Sequence, residues 1–167
     1  MTAQNGIVIV DVPASERTKL DGILEESFEG WYLRHSRRTL AEAELVRAAM
    51  SSGKPVGLVM LKTLEVDVGY VYYIAVAQAH RGKGVGGLLL EDALRYFEGA
   101  GMKEVYASVE ADNVASEALF RSKGFVKTSF GDVSKKYGSL HAIVLYRKMV
   151  VVPGEILLMK NLTSASA

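Results

Sequence analysis

Residues 72–87, with the sequence YYIAVAQAHRGKGVGG, decide the fold of this 167-residue chain. The first five residues are mostly β-branched or aromatic, which is typical of a buried strand. Four glycines then fall within six positions, and after them apolar residues recur at helical spacing as far as Phe97. The stretch therefore predicts a strand, a glycine-rich loop and an amphipathic helix over residues 85–98.

The glycine-rich loop has the chemistry of a phosphate site. The first turn of a helix carries unpaired N–H groups and the positive end of the helix dipole, so an anion is stabilised there. Glycines let a phosphate approach the backbone, and Arg81 and Lys83 add positive charge. The loop therefore predicts a diphosphate cradle over residues 81–87. A turn that only starts a helix is the alternative, although each glycine in a helix interior costs roughly 1 kcal/mol relative to alanine.

The pattern also restricts which diphosphate ligand is bound. The Walker sequence fails, because Gly84 follows Lys83 where Ser or Thr is needed. The dinucleotide pattern G-x-G-x-x-G matches at Gly82, Gly84 and Gly87, but five residues separate the strand from its first glycine. Glu110 could serve as the ribose-binding acid, so a nicotinamide dinucleotide remains an alternative.

Strands and helices alternate on both sides of this stretch. Residues 56–64 and 68–76 predict an antiparallel pair, and residues 103–110 alternate as a strand. Asp112 or Asn113 is the candidate cap for a helix over residues 114–123. We also predict a helix over residues 15–28 and strands over residues 7–12, 125–130, 140–149 and 150–159, with no clear pattern over residues 29–45. The fold class is α/β, with a mixed sheet and helices on both faces.

Two motifs in this order resemble the GNAT superfamily of N-acetyltransferases. The first is Arg81-x-x-Gly84-x-Gly86, and the second is Asn113-x-x-Ser116-x-x-Leu119-Phe120-x-x-x-Gly124-Phe125. The resemblance covers residues 56–149. It implies a mostly antiparallel GNAT-like sheet whose strands splay at the acetyl-CoA site. Residues 1–167 would form one acetyltransferase domain, with residues 150–167 as a C-terminal extension.

The resemblance also implies how acetyl-CoA, the co-substrate, is held without a metal. Backbone groups of Ile74, Ala75 and Val76 would pair with the pantetheine amides. Asn113 and Ser116 would contact the pantetheine arm, and Phe120 would lie near the thioester sulfur. The amides that would hold the pyrophosphate belong to Arg81, Gly82, Lys83, Gly84, Val85, Gly86 and Gly87.

Two catalytic groups of related enzymes are missing from this chain. Phe120 stands where many members have a tyrosine that protonates the thiolate, and Ser108 where some ribosomal-protein acetyltransferases carry a glutamate base. The catalytic candidates are therefore Tyr70, Glu110 and Tyr137. Tyr137 is expected in the loop before the strand at residues 140–149. By strand alternation, Tyr70 and Tyr72 share one face and Tyr73 takes the other.

The predicted function is acetyl transfer to a primary amine by direct attack in a ternary complex. The chain has no cysteine, which excludes a cysteine acyl-enzyme. The expected acceptor is a protein or peptide N-terminus or a lysine. The alternatives are a small amine or amino acid, or a non-catalytic acetyl-CoA-binding module.

Charge and hydropathy bear on the partners and the location of the protein. A net charge of +1 provides no strong field for nucleic acid or a membrane surface, and we expect a cytoplasmic protein. The apolar residues 150–159 could pair as an edge strand across a two-fold axis in a homodimer, or pack on their own domain.

Overall fold

The computed structural model describes residues 6–162, and within them seven strands form one mixed sheet. The sheet order is β1-β2-β3-β4-β5-β7-β6, with β4 and β5 parallel and the pairs β1/β2, β2/β3, β5/β7 and β6/β7 antiparallel. The strands are β1 (Ile7–Asp11), β2 (Leu45–Ser51), β3 (Lys54–Glu65), β4 (Val68–Val76), β5 (Glu104–Glu110), β6 (Val126–Thr128) and β7 (Glu155–Asn161). The α-helices are α1 (Asp21–Glu25), α2 (Gly30–Glu42), α3 (Val85–Gly99), α4 (Val114–Ser122), α5 (Phe130–Tyr137) and α6 (Ser139–Met149). The predicted α/β class with a mostly antiparallel sheet is confirmed.

The described residues divide into two compact units, of which the first comprises residues 6–62 and 72–95. Its helices lie on both faces of its strands. On one face, Leu24 of α1 and Leu40 of α2 share a buried cluster with Leu58. On the other face, a Cβ at Gly57 would lie 3.0 Å from Leu89 Cδ1 of α3, so a side chain there would have to push this helix residue away. This packing fixes the start of α3 against β3.

The second unit comprises residues 63–71 and 96–162, and β5 runs through its centre. All seven residues of β5 pair with β7, in a register from Glu104 opposite Asn161 to Glu110 opposite Glu155. At Gly69 of β4, a Cβ would lie 2.6 Å from the buried ring of Phe97. The small residue is therefore required at this contact.

The parallel pairing between β4 and β5 is shorter than either strand. It runs from Val68 opposite Glu104 to Val71 opposite Ala107. β4 then continues for five more residues, to Val76. The paired stretch therefore ends before the part of β4 that leads into the glycine-rich loop.

The expectation of a strand over residues 140–149 was wrong, because these residues belong to helix α6. Ala142, Leu145 and Met149 are buried at helical spacing, whereas Ile143 and Val144 are about half exposed. Their β-branched side chains suggested a strand. The loop expected before it is helix α5, which Ser129 caps through the N–H of Asp132.

The C-terminal segment is an integral part of the sheet. β7 begins one residue after Gly154, which has a left-handed φ of 93°, and it lies between β5 and β6. Of the two alternatives for this segment, the structure has packing on its own domain, and β7 is not an edge strand because both of its edges are already paired. Residues 163–167 of the expected extension lie outside the described residues.

The N-terminal helix also differs from the expectation. Residues 14–20 form a 3-10 helix, and only residues 21–25 are α-helical. The ambiguous residues 29–45 contain α2, which follows Glu29 and begins at Gly30. None of the helices in the described part of the chain is long and apolar enough to cross a membrane.

Candidate functional site

The glycine-rich loop lies where β4 passes into α3, as the sequence predicts. A single 3-10 turn, Gln78–His80, follows β4, and α3 begins at Val85. The Leu88 N–H donates to the Gly84 carbonyl at 3.1 Å, which is the first i to i−4 bond of the helix. The N–H groups from Gly84 to Gly87 therefore have no acceptor inside the helix. They form the positive end of a 15-residue helix.

Two glycines give this loop its shape. Gly82 and Gly84 have φ values of 70° and 81°, in the left-handed region that favours glycine. A Cβ at either position would meet no atom within 4 Å, so packing does not exclude a side chain there. The conformation requires the glycines, and as a result the loop presents bare, exposed backbone to the solvent.

The basic side chains of the loop are bonded to the protein itself. The Arg81 guanidinium donates to the carbonyl oxygens of Val76 at 3.0 Å and Glu26 at 2.6 Å. The Lys83 ammonium donates to the Ala79 carbonyl at 2.8 Å. Arg81 therefore ties the loop to the end of α1, a role that the sequence did not suggest. The backbone, more than these two cations, supplies the donors of the loop.

The second motif, in the other unit, caps helix α4. The Asn113 Oδ1 accepts the Ser116 N–H at 3.1 Å, so the expected cap is confirmed. The side-chain NH₂ of Asn113 remains the group with which it could donate to a ligand. Phe120 is 5% exposed, and its ring packs edge-on against the ring of Phe125, with a distance of 5.1 Å between the ring centroids.

Tyr70 and Ser108 lie together in this second unit. The Tyr70 ring is buried, and its hydroxyl lies 2.8 Å from the half-buried Ser108 Oγ. Glu110 follows two residues later at the exposed end of β5. By the resemblance, Ser108 stands where some ribosomal-protein acetyltransferases carry a glutamate base, so the candidate Tyr70 has its hydroxyl next to that position.

Tyr137 lies elsewhere, at the C-terminal end of α5 and against Glu104. Its hydroxyl donates a hydrogen bond to the Glu104 Oε2. Glu104 and Glu110 are the first and last residues of β5, six steps of about 3.3 Å and hence about 20 Å apart. The structure therefore does not bring Tyr137 to Glu110. As a catalytic residue, Tyr137 has less support than Tyr70.

Glu104 is a buried carboxylate with three partners, and we call the four residues the Glu104 cluster. Glu104 is 3% exposed, and besides Tyr137 it accepts from the Tyr106 hydroxyl at 3.2 Å and pairs with the Lys136 ammonium. Burial, with the negative charges nearby, raises the pKa of Tyr137 to about 12. Burial also raises the pKa of Tyr106. The cluster joins α5 to the first residue of β5.

The raised pKa of Tyr137 predicts an alkaline loss of stability. The unfolded chain releases this proton near pH 10, whereas the folded protein holds it to about pH 12. The part of the free energy of unfolding that comes from the raised pKa of Tyr137 is therefore present below pH 10, and it is lost as the pH rises from 10 to 12. Urea unfolding at pH 9, 10 and 11 should give a free energy that falls more steeply in the wild type than in Tyr137→Phe. Equal slopes would contradict the prediction, and Tyr96→Phe is the tyrosine control outside the cluster.

Comparison with known proteins identifies the family. The profile of the Acetyltransferase (GNAT) family matches residues 13–125. Mycothiol acetyltransferases are similar over a segment: that of Catenulispora acidiphila is 39% identical over 62 residues, and that of Renibacterium salmoninarum is 35% identical over 60 residues. These segments cover 37% and 36% of this chain, but only 20% and 18% of the relatives. The chain thus matches about a fifth of the length of these proteins.

Solved structures share the fold over nearly the whole chain. The ribosomal-protein-S18-alanine N-acetyltransferase of Escherichia coli has a TM-score of 0.72 at 18% identity, with 96% of both chains covered. A GNAT family acetyltransferase of Elizabethkingia anophelis, solved with acetyl-CoA bound, has a TM-score of 0.70 at 17% identity, with 95% of this chain and 100% of that one covered. At these identities the likeness shows the fold alone. With the family match over residues 13–125, the conclusion is that this chain belongs to the GNAT acetyltransferase family.

Proposed function

We propose that this enzyme transfers an acetyl group from acetyl-CoA to a primary amine by direct attack in a ternary complex. The observation that carries the proposal is the loop between β4 and α3, whose backbone N–H groups open a helix directly after a strand. Linked phosphates are the anions that such a bare helix start accommodates. The family match extends over this loop.

The proposed placement of acetyl-CoA follows the two motifs. The N–H groups from Gly84 to Gly87 hold the pyrophosphate. Backbone groups of Ile74, Ala75 and Val76 pair with the pantetheine arm, because the β4/β5 pairing ends before them at Val71. For Asn113, Ser116 and Phe120, contact with the pantetheine arm and thioester stays a prediction from the resemblance.

The chemistry requires a neutral amine and an acyl carbonyl that is polarised. An N-terminal amine has a pKa near 8 and a lysine near 10.4, so the former is neutral more often at neutral pH. Backbone N–H groups of β4 beside the acyl end stabilise the charge that develops on the carbonyl oxygen. Since Phe120 has no proton to give, the hydroxyl pair of Tyr70 and Ser108 is proposed to help proton transfer at the reacting atoms.

Fewer observations bear on which amine accepts the acetyl group than on the acetyl transfer itself. A protein or peptide amine was expected from the sequence. The similar segments belong to proteins named mycothiol acetyltransferases, which favours a small acceptor. The Escherichia coli protein of the same fold is named a ribosomal-protein-S18-alanine N-acetyltransferase, which favours a protein acceptor. A primary amine is the common element, and the proposal is made at that level.

Labelled acetyl-CoA tests the proposal directly. The enzyme is incubated with a panel of peptides and small amines, and mass spectrometry identifies the acetylated product. Transfer to at least one amine, dependent on acetyl-CoA, is the expected result. Tight acetyl-CoA binding without transfer to any amine would favour the non-catalytic module, and no binding would overturn the proposal.

Tyr70→Phe tests the hydroxyl pair. Loss of the Tyr70 hydroxyl removes the partner of Ser108, and we expect kcat to fall at least tenfold, toward the roughly 10²–10⁴-fold that proton-transfer assistance contributes. The matched variant is Tyr137→Phe, whose hydroxyl bonds Glu104 instead. A larger loss of kcat in Tyr137→Phe than in Tyr70→Phe would reverse the assignment.

A further inference from the structure

Five residues of the first unit form a compact group beside β4, which we call the aromatic cluster. Its members come from α2, β3 and β4. Two of them directly precede the part of β4 proposed to pair with pantetheine. The members of the aromatic cluster are Trp31, His35, Lys62, Tyr72 and Tyr73.

The strand alternation breaks at Tyr72 and Tyr73. Their rings are stacked at a centroid distance of 6.4 Å and an angle of 15°, and the His35 ring lies 6.4 Å from Tyr72 and 5.9 Å from Tyr73. The expectation that these tyrosines face opposite sides was therefore wrong. An irregularity of this kind turns both side chains toward α2, just past the end of the β4/β5 pairing at Val71.

Trp31 and His35 extend this surface along α2. They are one turn apart, and their rings stack at 4.7 Å with an angle of only 8°. The His35 Nδ1 lies 2.7 Å from the Tyr73 hydroxyl, which fixes the imidazole. Yet Trp31 is 43% exposed, which is a large exposure for an indole that is held in place by a neighbouring ring. Because the two rings are stacked face to face, His35 covers one face of the indole, and Tyr32 meets Trp31 edge-on with ring centroids 5.1 Å apart. The outer face of Trp31 is the surface on which another ring can stack.

Lys62 provides the permanent charge of the cluster. Its ammonium donates to the Tyr72 hydroxyl at 3.4 Å and lies 5.5 Å from the centre of the Tyr72 ring. The five members include no carboxylate. A second ammonium on an acceptor would meet repulsion here, whereas a carboxylate would be attracted.

The aromatic cluster lies where the acyl end of acetyl-CoA is expected, if acetyl-CoA binds as in the proposed function. A pantetheine arm that starts at the pyrophosphate loop and runs back along β4 passes Val76, Ala75 and Ile74 in that order. Its acyl end then arrives next to Tyr72 and Tyr73. An amine that attacks the thioester must therefore bring the rest of its molecule close to this surface.

From this arrangement we infer that the acceptor is a small aromatic amine that carries a carboxylate, such as an aromatic amino acid. Its ring stacks on the outer face of the Trp31 indole, whose other face is covered by His35. Its carboxylate pairs with the Lys62 ammonium. Its amine is thereby directed toward the thioester, and acceptors with a second cationic group, such as lysine side chains with a basic flank, are disfavoured.

A steady-state assay with four amines distinguishes the contribution of the ring contact from that of the carboxylate contact. L-phenylalanine has both the ring and the carboxylate, L-alanine lacks the ring, and 2-phenylethylamine lacks the carboxylate. A peptide with an N-terminal alanine represents the protein acceptors. We expect kcat/KM for L-phenylalanine to exceed each of the other three by at least tenfold.

Two substitutions assign these preferences to residues. Trp31→Ala should lower kcat/KM for L-phenylalanine at least tenfold, mainly through KM, and leave L-alanine nearly unchanged. Lys62→Met should lower kcat/KM for L-phenylalanine at least tenfold but not for 2-phenylethylamine, and Lys62→Arg should restore part of the loss. Lys54→Met, at the exposed start of β3, is the matched control and should change neither.

The outcomes separate this inference from the proposed function. Calorimetry should give the same acetyl-CoA affinity for all of these variants and the wild type. A preference for L-alanine or the peptide, or equal losses on every amine in Trp31→Ala and Lys62→Met, would overturn the inference while leaving an acetyltransferase. Failure of the wild type to bind acetyl-CoA would instead overturn the proposed function.

Discussion

Gly84→Glu should abolish acetyl-CoA binding, with an affinity at least 100-fold below that of the wild type. Gly84 precedes the first residue of α3, and its carbonyl accepts the first hydrogen bond of that helix. A glutamate there places a carboxylate at the positive end of the helix, where the pyrophosphate is proposed to bind. The same carboxylate repels the phosphates. Isothermal calorimetry with acetyl-CoA measures the loss.

The control for this substitution must carry the same backbone cost. A residue other than glycine in the left-handed region costs roughly 1–2 kcal/mol, which lowers stability whether or not the loop binds a ligand. Gly53, in the turn between β2 and β3, has a φ of 76°, close to the 81° of Gly84, and both have open space at Cβ. Gly53→Glu should therefore lose similar stability but keep its affinity for acetyl-CoA. Equal affinity in both folded variants would exclude the loop as the pyrophosphate site.

The part of the fold that is determined locally could be predicted from the sequence. The change of periodicity after Val76 places a strand, a loop and a helix, and the structure has them within one residue of the predicted ends. The Asn113 cap could also be predicted locally, because its hydrogen-bond partner Ser116 is only three residues away in the sequence. Such patterns depend on neighbours along the chain, which the sequence displays directly.

The errors arose where distant residues decide the structure. Ile143 and Val144 favour a strand by propensity, but burial of Ala142, Leu145 and Met149 selects a helix. Packing partners override weak local preferences of this kind. For the same reason, no local signal shows that β7 enters the sheet between β5 and β6.

In the candidate site too, the local features could be predicted from the sequence and the contacts between distant residues could not. Its glycine loop is a contiguous motif, and the residues that would hold the pyrophosphate could be named from the sequence. The partners of Arg81 could not, because Glu26 and Ser27 are more than fifty residues away. Nor could the aromatic cluster, since the break in alternation at Tyr72 and Tyr73 leaves no mark in the sequence. A regular pleat in β4 would place Tyr72 and Tyr73 on opposite faces.

Lys136→Met should lower the stability of the protein far more than is usual for a half-exposed side chain. The Lys136 ammonium is the one cation in the Glu104 cluster, and its removal leaves a carboxylate that is 3% exposed without a counter-charge. Loss of one partner of a buried ion pair costs about 3–5 kcal/mol. Because the Tyr106 and Tyr137 hydroxyls still donate to Glu104, we expect the lower end, about 3 kcal/mol. In thermal unfolding this is roughly 6–12 °C for a chain of this size.

A double-mutant cycle distinguishes the buried charge from other causes. Glu104→Gln combined with Lys136→Met removes both charges, and the pair should be more stable than Lys136→Met alone, because no unpaired carboxylate is then buried. Lys135→Met, the neighbouring exposed lysine of α5, should change the free energy of unfolding by less than about 0.5 kcal/mol. If Lys136→Met is as stable as Lys135→Met, the ion pair contributes nothing measurable. The attachment of α5 to β5 would then depend on the tyrosine hydroxyls and apolar contacts.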